Sequence, residues 1–176
     1  MRDPQKIEKL RTAVERNIKA IRLRPSVGQG TAVTKVTIRD GCTADIEDGG
    51  WKLVCDESVK DGGNGEGPDP GVFGRAALGS CLAMGYAIWA SVLGVPLTKI
   101  EVEVAADYDA RGMFGVDANV PPGWSAMRYA VTIESPASEA DVMRVLDEAD
   151  RVSPLLDDFR RALPTAREVR ISAPAR

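Results

Sequence analysis

From Ala76 to Leu97 the chain carries no charged residue. The run lies in "VFGRAALGSCLAMGYAIWASVL", residues 72–93, which is too long for a strand and too continuous for a loop. It predicts one long helix, stopped by Gly94 and Pro96. By length alone such a helix could span a membrane. Its many Ala, Gly and Ser residues favour a buried central helix instead, because small side chains let strands and other helices approach closely. The rest of the fold must then cover it. A chain of 176 residues makes one ordinary domain. That is limited cover for a helix apolar on nearly every side, which points to a homodimer.

The flanking segments read as that cover. Residues 5–22 repeat Ile7, Leu10, Val14, Ile18 and Ile21 at helical spacing. This is a surface helix packed on the domain, or one that binds a partner, and it divides the chain into an N-terminal helix, 1–24, and a single domain, 25–176. Residues 31–58 read as strands. With Asp48 and Gly49 at the centre of a two-residue turn, Ile46 would face Trp51, Ala44 would face Leu53, and Cys42 would face Cys55. The two thiols would then be small apolar residues on one sheet face, or a redox pair.

Five glycines and two prolines in "DGGNGEGPDPG", residues 61–71, predict a loop. Its spacing matches neither a P-loop nor a dinucleotide fingerprint, although such a loop leaves backbone N–H groups for an anion. Residues 97–109 alternate, with Ile100, Val102 and Val104 inward and Glu101 and Glu103 outward. Residues 111–125 form an irregular connection or lid, and 126–135 another strand. Two helices follow, one capped by Ser138, the other by Ser153 with Pro154 at its first position. Pro164 ends the second, and "AREVRIS", 166–172, reads as a last short strand. No βαβ repeat occurs, so the class is α+β, an antiparallel sheet around a buried helix.

Composition excludes much of the usual chemistry. There is no histidine, hence no imidazole general base, nucleophile activator or metal ligand. Three cysteines without short-range pairing suit neither a disulfide framework nor a zinc site, and indicate a reduced, cytoplasmic protein. The charged N-terminus has no apolar core of a secretory signal. A net charge of −3 makes nucleic acid and anionic membranes poor partners. No cofactor or metal is expected.

Cys81 is the one candidate nucleophile with a setting of its own. It lies ten residues into the helix, beyond the reach of the N-terminal dipole. A reactive thiolate would need a cation, and Arg75 stands about 120° round the helix from it. The residues leave both a packed and a reactive sulfur open.

The stretch "GGNGEGPDPGVFGRAALGSCLAMGYAIWASVLGVPLTKIEVEV", residues 62–104, resembles the OsmC/Ohr family. The shared features are a Gly-rich "GxGPxP" loop, a helix of the "ALGSCxAM" kind, and a strand with alternating valines. The likeness implies an intertwined homodimer with antiparallel sheet wrapped over central helices. It also implies thiol peroxidase chemistry on organic hydroperoxides. In that chemistry Cys81 would be the peroxidatic residue, an Arg–Glu pair would stabilise its thiolate, a second cysteine would resolve the sulfenic acid, and an external thiol would restore it. The chain departs from the pattern twice. Ser153-Pro154 stands where the family has Cys-Pro, and Gly71 stands where the hydroperoxide-reductase branch has a glutamate. Asp69 and Glu66 are nearby but shifted, and Arg39 and Arg75 are the candidate arginines. The resemblance thus leaves two expectations: a peroxidase using Cys81, or a relative that binds a small apolar molecule.

Overall fold

The computed structural model describes residues 3–173. Its elements run α1 (Pro4–Leu23), β1 (Lys35–Asp40), β2 (Thr43–Asp48), β3 (Trp51–Cys55), α2 (Pro70–Leu93), β4 (Lys99–Asp107), α3 (Ala110–Met113), β5 (Ala126–Glu134), α4 (Glu139–Arg151) and α5 (Pro154–Arg160). Strands β1–β2–β3 form one antiparallel sheet and β4–β5 another, so the class is α+β.

Each long helix starts where its capping residue says it should. Asp3, Asp69, Ser138 and Ser153 accept backbone N–H groups of the first turns of α1, α2, α4 and α5, and Pro70 and Pro154 occupy first helical positions. Gly94 ends α2 in the left-handed region.

Helix α2 is the centre of the body. β4, α4, α1 and α5 all pack against it. Leu78, Leu82 and Tyr86 of α2 join Ala149 of α4 and Leu156 of α5 in one core. Ile100, Val102 and Val104 of β4, with Met127, Tyr129 and Val131 of β5, close it from the sheet side. A second core joins Ala90, Val95, Leu97 and Val145. The uncharged helix therefore fits the fold as a core helix, although its length and composition would also suffice to cross a membrane. The stripe of α1 behaves as expected through Ile18, which is half-buried, whereas Ile21 is exposed.

Two strand expectations need correction. The β2–β3 turn is centred on Gly49 and Gly50, so Ile46 pairs with Leu53 and Ala44 with Cys55. Gly49 takes φ +55° at the first turn position, a conformation glycine adopts at less cost than Asp48. The slip is by two residues, so the apolar face survives while the Cys42–Cys55 pairing is lost. All three cysteines are free. Residues 166–172 form no strand, and Val169 and Ile171 are exposed. The alternation is present, but no strand edge of this chain receives it. Helix α5 also stops at Arg160, before Pro164.

The first sheet is only partly covered. Val36, Ile46 and Leu53 pair across its three strands, as do Ile38, Ala44 and Cys55, so these six share one face. Ala44 and Cys55 are buried at one end, but Val36 and Ile38 are 58% and 61% exposed.

Candidate active site around Cys81

Cys81 lies mid-way along α2, on the side that meets the α4–α5 junction. Its sulfur is half-buried at the wall of a cleft of about 500 Å³. Ala77, Met84, Ile88, Trp89, Val152 and Leu155 give that cleft its apolar character. The polar atom against the sulfur is Ser153 Oγ, 3.5 Å from Cys81 Sγ. Ser153 is brought there because α4 ends at Arg151 and α5 begins at Pro154, leaving it to cap α5. The cleft can therefore admit an apolar molecule to a thiol that has a hydroxyl beside it.

The two sequence-proposed arginines lie elsewhere. Arg39 Nη2 is 2.6 Å from Glu66 Oε2, and its Nε is 3.4 Å from Asp45 Oδ1. The hydrogen bond that Arg39 donates to Glu66, with the charges of Asp45 and Glu66, raises the guanidinium above its ordinary value. Arg39 thus belongs to an arginine–glutamate pair, carried on a sheet that does not form part of the packing around α2. The β1–β2 register shifts between Ile38 and Asp40, placing Arg39 at an irregularity of the kind that re-aims a side chain. Arg75 is half-buried, with no ion pair or hydrogen bond to any described residue. A Cβ on Gly71 would stand 2.9 Å from Asp69 Oδ1 and 3.1 Å from Arg75 Nη1, so position 71 lies beside this arginine. Neither arginine contacts Cys81 within the chain.

The glycine-rich loop has an anion, and it is the protein's own. Asp56, at the end of β3, is 2% exposed. Its carboxylate accepts the N–H groups of Glu57, Asn64 and Glu66 at 2.8–3.1 Å, and the Thr43 hydroxyl at 3.1 Å. Burial alone would raise this carboxyl. The donors, led by Glu66 N–H and the Thr43 hydroxyl, outweigh it and hold Asp56 below the usual carboxylate range. The close approach leaves no room for side chains: a Cβ on Gly63 would fall 2.0 Å from the Glu57 carbonyl, and one on Gly67 2.4 Å from that of Val54. This wrapping presents Glu66 to Arg39. An acidic residue ending an apolar strand just before a glycine-rich loop was the available signal for Asp56.

The other thiols are poorly placed for chemistry. Burial, then the carboxylates of Glu57, Asp69 and Asp56, pushes the Cys55 thiol up. Cys42 Sγ lies 3.6 Å from Asp56 Oδ1. Among the described residues, no group of three or more His, Cys, Asp or Glu is arranged to hold a metal ion.

A protein-family model described as OsmC-like protein matches residues 63–167. Solved structures share the fold. An OsmC-like protein from Mycoplasma pneumoniae superimposes with a TM-score of 0.64 at 14% identity, covering 75% of this chain and 89% of that one. An OsmC-like protein of unknown function from Vibrio cholerae gives 0.56 at 13% identity, with 73% and 93% covered. An organic hydroperoxide resistance protein OsmC from Legionella pneumophila gives 0.53 at 17% identity, with 74% and 90% covered. No curated protein sequence matches the chain.

Proposed function

The chain belongs to the OsmC-like protein family, and from that premise we propose that it is a thiol-dependent reductase of organic hydroperoxides with Cys81 as nucleophile. The observation that carries this reading is the site of the sulfur. It is half-buried in the apolar cleft, on the central helix, with a hydroxyl 3.5 Å away. An apolar cleft favours an alkyl hydroperoxide over hydrogen peroxide.

The Cys81 thiolate attacks the terminal oxygen of R–O–O–H. The O–O bond breaks, and the departing alkoxide takes a proton to leave as alcohol. Cys81 is then a sulfenic acid. An external thiol attacks its sulfur and expels water, giving a mixed disulfide. A second thiol releases Cys81 as the thiol and carries the oxidation away as a disulfide. An outside reductant is required because Ser153 cannot form a disulfide.

We assign thiolate stabilisation to Arg39, oriented by Glu66 and supplied by the second copy of a homodimer. The open apolar face of β1–β3 supports this arrangement, since that face is left for another surface to cover. Among the described residues no carboxylate forms an ion pair with Arg75, and it receives no role.

A second reading has its own observation. Neither arginine nor a second thiol meets Cys81 within the chain, as suits a protein that binds a small apolar molecule and leaves the sulfur packed. Intact-mass analysis separates the two, using one equivalent of cumene hydroperoxide, a sulfenate trap and Cys81→Ser as control. One trapped adduct on Cys81 within seconds, absent from Cys81→Ser, is the expected result. Slow, equal labelling of all three cysteines overturns the peroxidase reading in favour of ligand binding. Arg39→Ala is expected to slow the reaction about tenfold or more and Arg75→Ala to leave it nearly unchanged.

A further inference from the structure

Ser153 is 7% exposed, and the structure gives its Oγ two neighbours. Leu156 N–H donates to it at 3.4 Å, and Cys81 Sγ lies 3.5 Å away. A hydroxyl has one hydrogen and two acceptor lone pairs. The N–H takes a lone pair, which leaves the hydrogen for the sulfur. A thiolate or sulfenate accepts it well, whereas a neutral thiol is a weak acceptor.

The position of Ser153 is itself set from behind. Its N–H donates to the Asp150 carbonyl at 3.3 Å. Asp150, in the last turn of α4, receives the Tyr86 hydroxyl on Oδ1 at 2.8 Å and the Tyr129 hydroxyl on Oδ2 at 2.6 Å. The three side chains come from α4, α2 and β5, and Tyr86 is fully buried. Burial and the hydrogen bond to Asp150 push the Tyr129 hydroxyl up to about 12 and raise that of Tyr86 as well, so both stay donors at neutral pH. Tyr86 and Cys81 share α2. The cluster thus ties the α4–α5 junction to the helix that bears the sulfur.

We propose that Ser153 is the hydrogen-bond donor to the Cys81 sulfur, and that Tyr86, Asp150 and Tyr129 are positioning residues that hold it there. The proposal rests on the reading of Cys81 as nucleophile. It gives the chain a device suited to one-cysteine chemistry. A hydroxyl stabilises the sulfur anion and the sulfenate, yet leaves the oxidised sulfur open to an outside thiol.

The test is site-resolved alkylation of Cys81 with iodoacetamide, followed by peptide mass analysis from pH 5 to 9 on the full chain. Ser153→Gly removes the hydroxyl while keeping a residue that serves almost as well at a helix N-cap. It is expected to slow alkylation at pH 7 about threefold to tenfold and move the profile to higher pH. Ser153→Thr keeps the donor and is expected to keep the wild-type profile. Tyr129→Phe is expected to move the profile part of the way. Melting curves on the same variants separate folding from positioning. An unmoved profile in folded Ser153→Gly overturns the donor assignment. A profile moved by Ser153→Gly but untouched by Tyr129→Phe, with only the melting temperature lowered, overturns the positioning assignment. Hydroperoxide turnover of the wild type is read separately. Its absence defeats the peroxidase reading while the alkylation profile still decides the donor.

Discussion

The two sheets are built from the same alternation and end in different states. In β4–β5 the inward residues Ile100, Val102 and Val104 meet α2 within the same chain. In β1–β3 the equivalent face, with Val36, Ile38 and Leu53, is largely open. Alternation identifies an apolar face but says nothing about what covers it. The polar nodes differ in the same way. Asp150 gathers two tyrosine hydroxyls inside the closed half, while Asp56 gathers backbone N–H groups of a loop beside the open one.

The largest expected contrast is in stability. Leu82→Ala, at a site 1% exposed, is expected to cost about 2–5 kcal/mol, against less than about 1 kcal/mol for Val36→Ala in the isolated chain. Urea unfolding at low protein concentration measures both, and equal losses would erase the distinction between closed and open sheets. The next effect is on assembly. Ile38→Asp with Leu53→Asp is expected to convert a homodimer to a monomer by light scattering while helical content persists. A wild-type monomer at micromolar concentration, or a dimer indifferent to the charges, would assign that face to something other than a second copy.

The smallest contrast is in pH dependence, and the signs are opposite. Asp56 is held below its unfolded value, so its contribution is complete above about pH 4 and lost as pH falls through the folded value. Tyr129 and Tyr86 are held above theirs. Their contribution is complete below about pH 10 and lost as pH rises towards the Tyr129 value of about 12. Melting temperatures across pH are therefore expected to lose part of their acid slope in Asp56→Asn and part of their alkaline slope in Tyr129→Phe. If each variant flattens the other limb, the two nodes are misassigned.

Much of this layout is legible in the residues. The long uncharged run, the caps at Ser138 and Ser153, and the valine alternation of 97–109 act locally, and the structure keeps them. Cys81 was legible as the residue to watch because its motif is local too. The turn register was not, because Asp48-Gly49 and Gly49-Gly50 differ only in which residue must adopt positive φ. The bond from Tyr86 to Asp150 was not legible either, since the two residues stand 64 apart in the chain.

The sequence by itself determined a central apolar helix, antiparallel strands with defined faces, and a cysteine in the middle of the helix; the division of those strands into two sheets came from the tertiary structure. Periodicity and capping require only neighbours within a few residues. Tertiary structure alone decided that Ser153 meets Cys81 and that Asp56 holds the glycine-rich loop. It also decided that Arg39 pairs with Glu66, while Arg75 has no ion pair or hydrogen bond among the described residues. Such pairings depend on which distant segments are brought within a few ångströms, and only packing of the whole chain sets that distance.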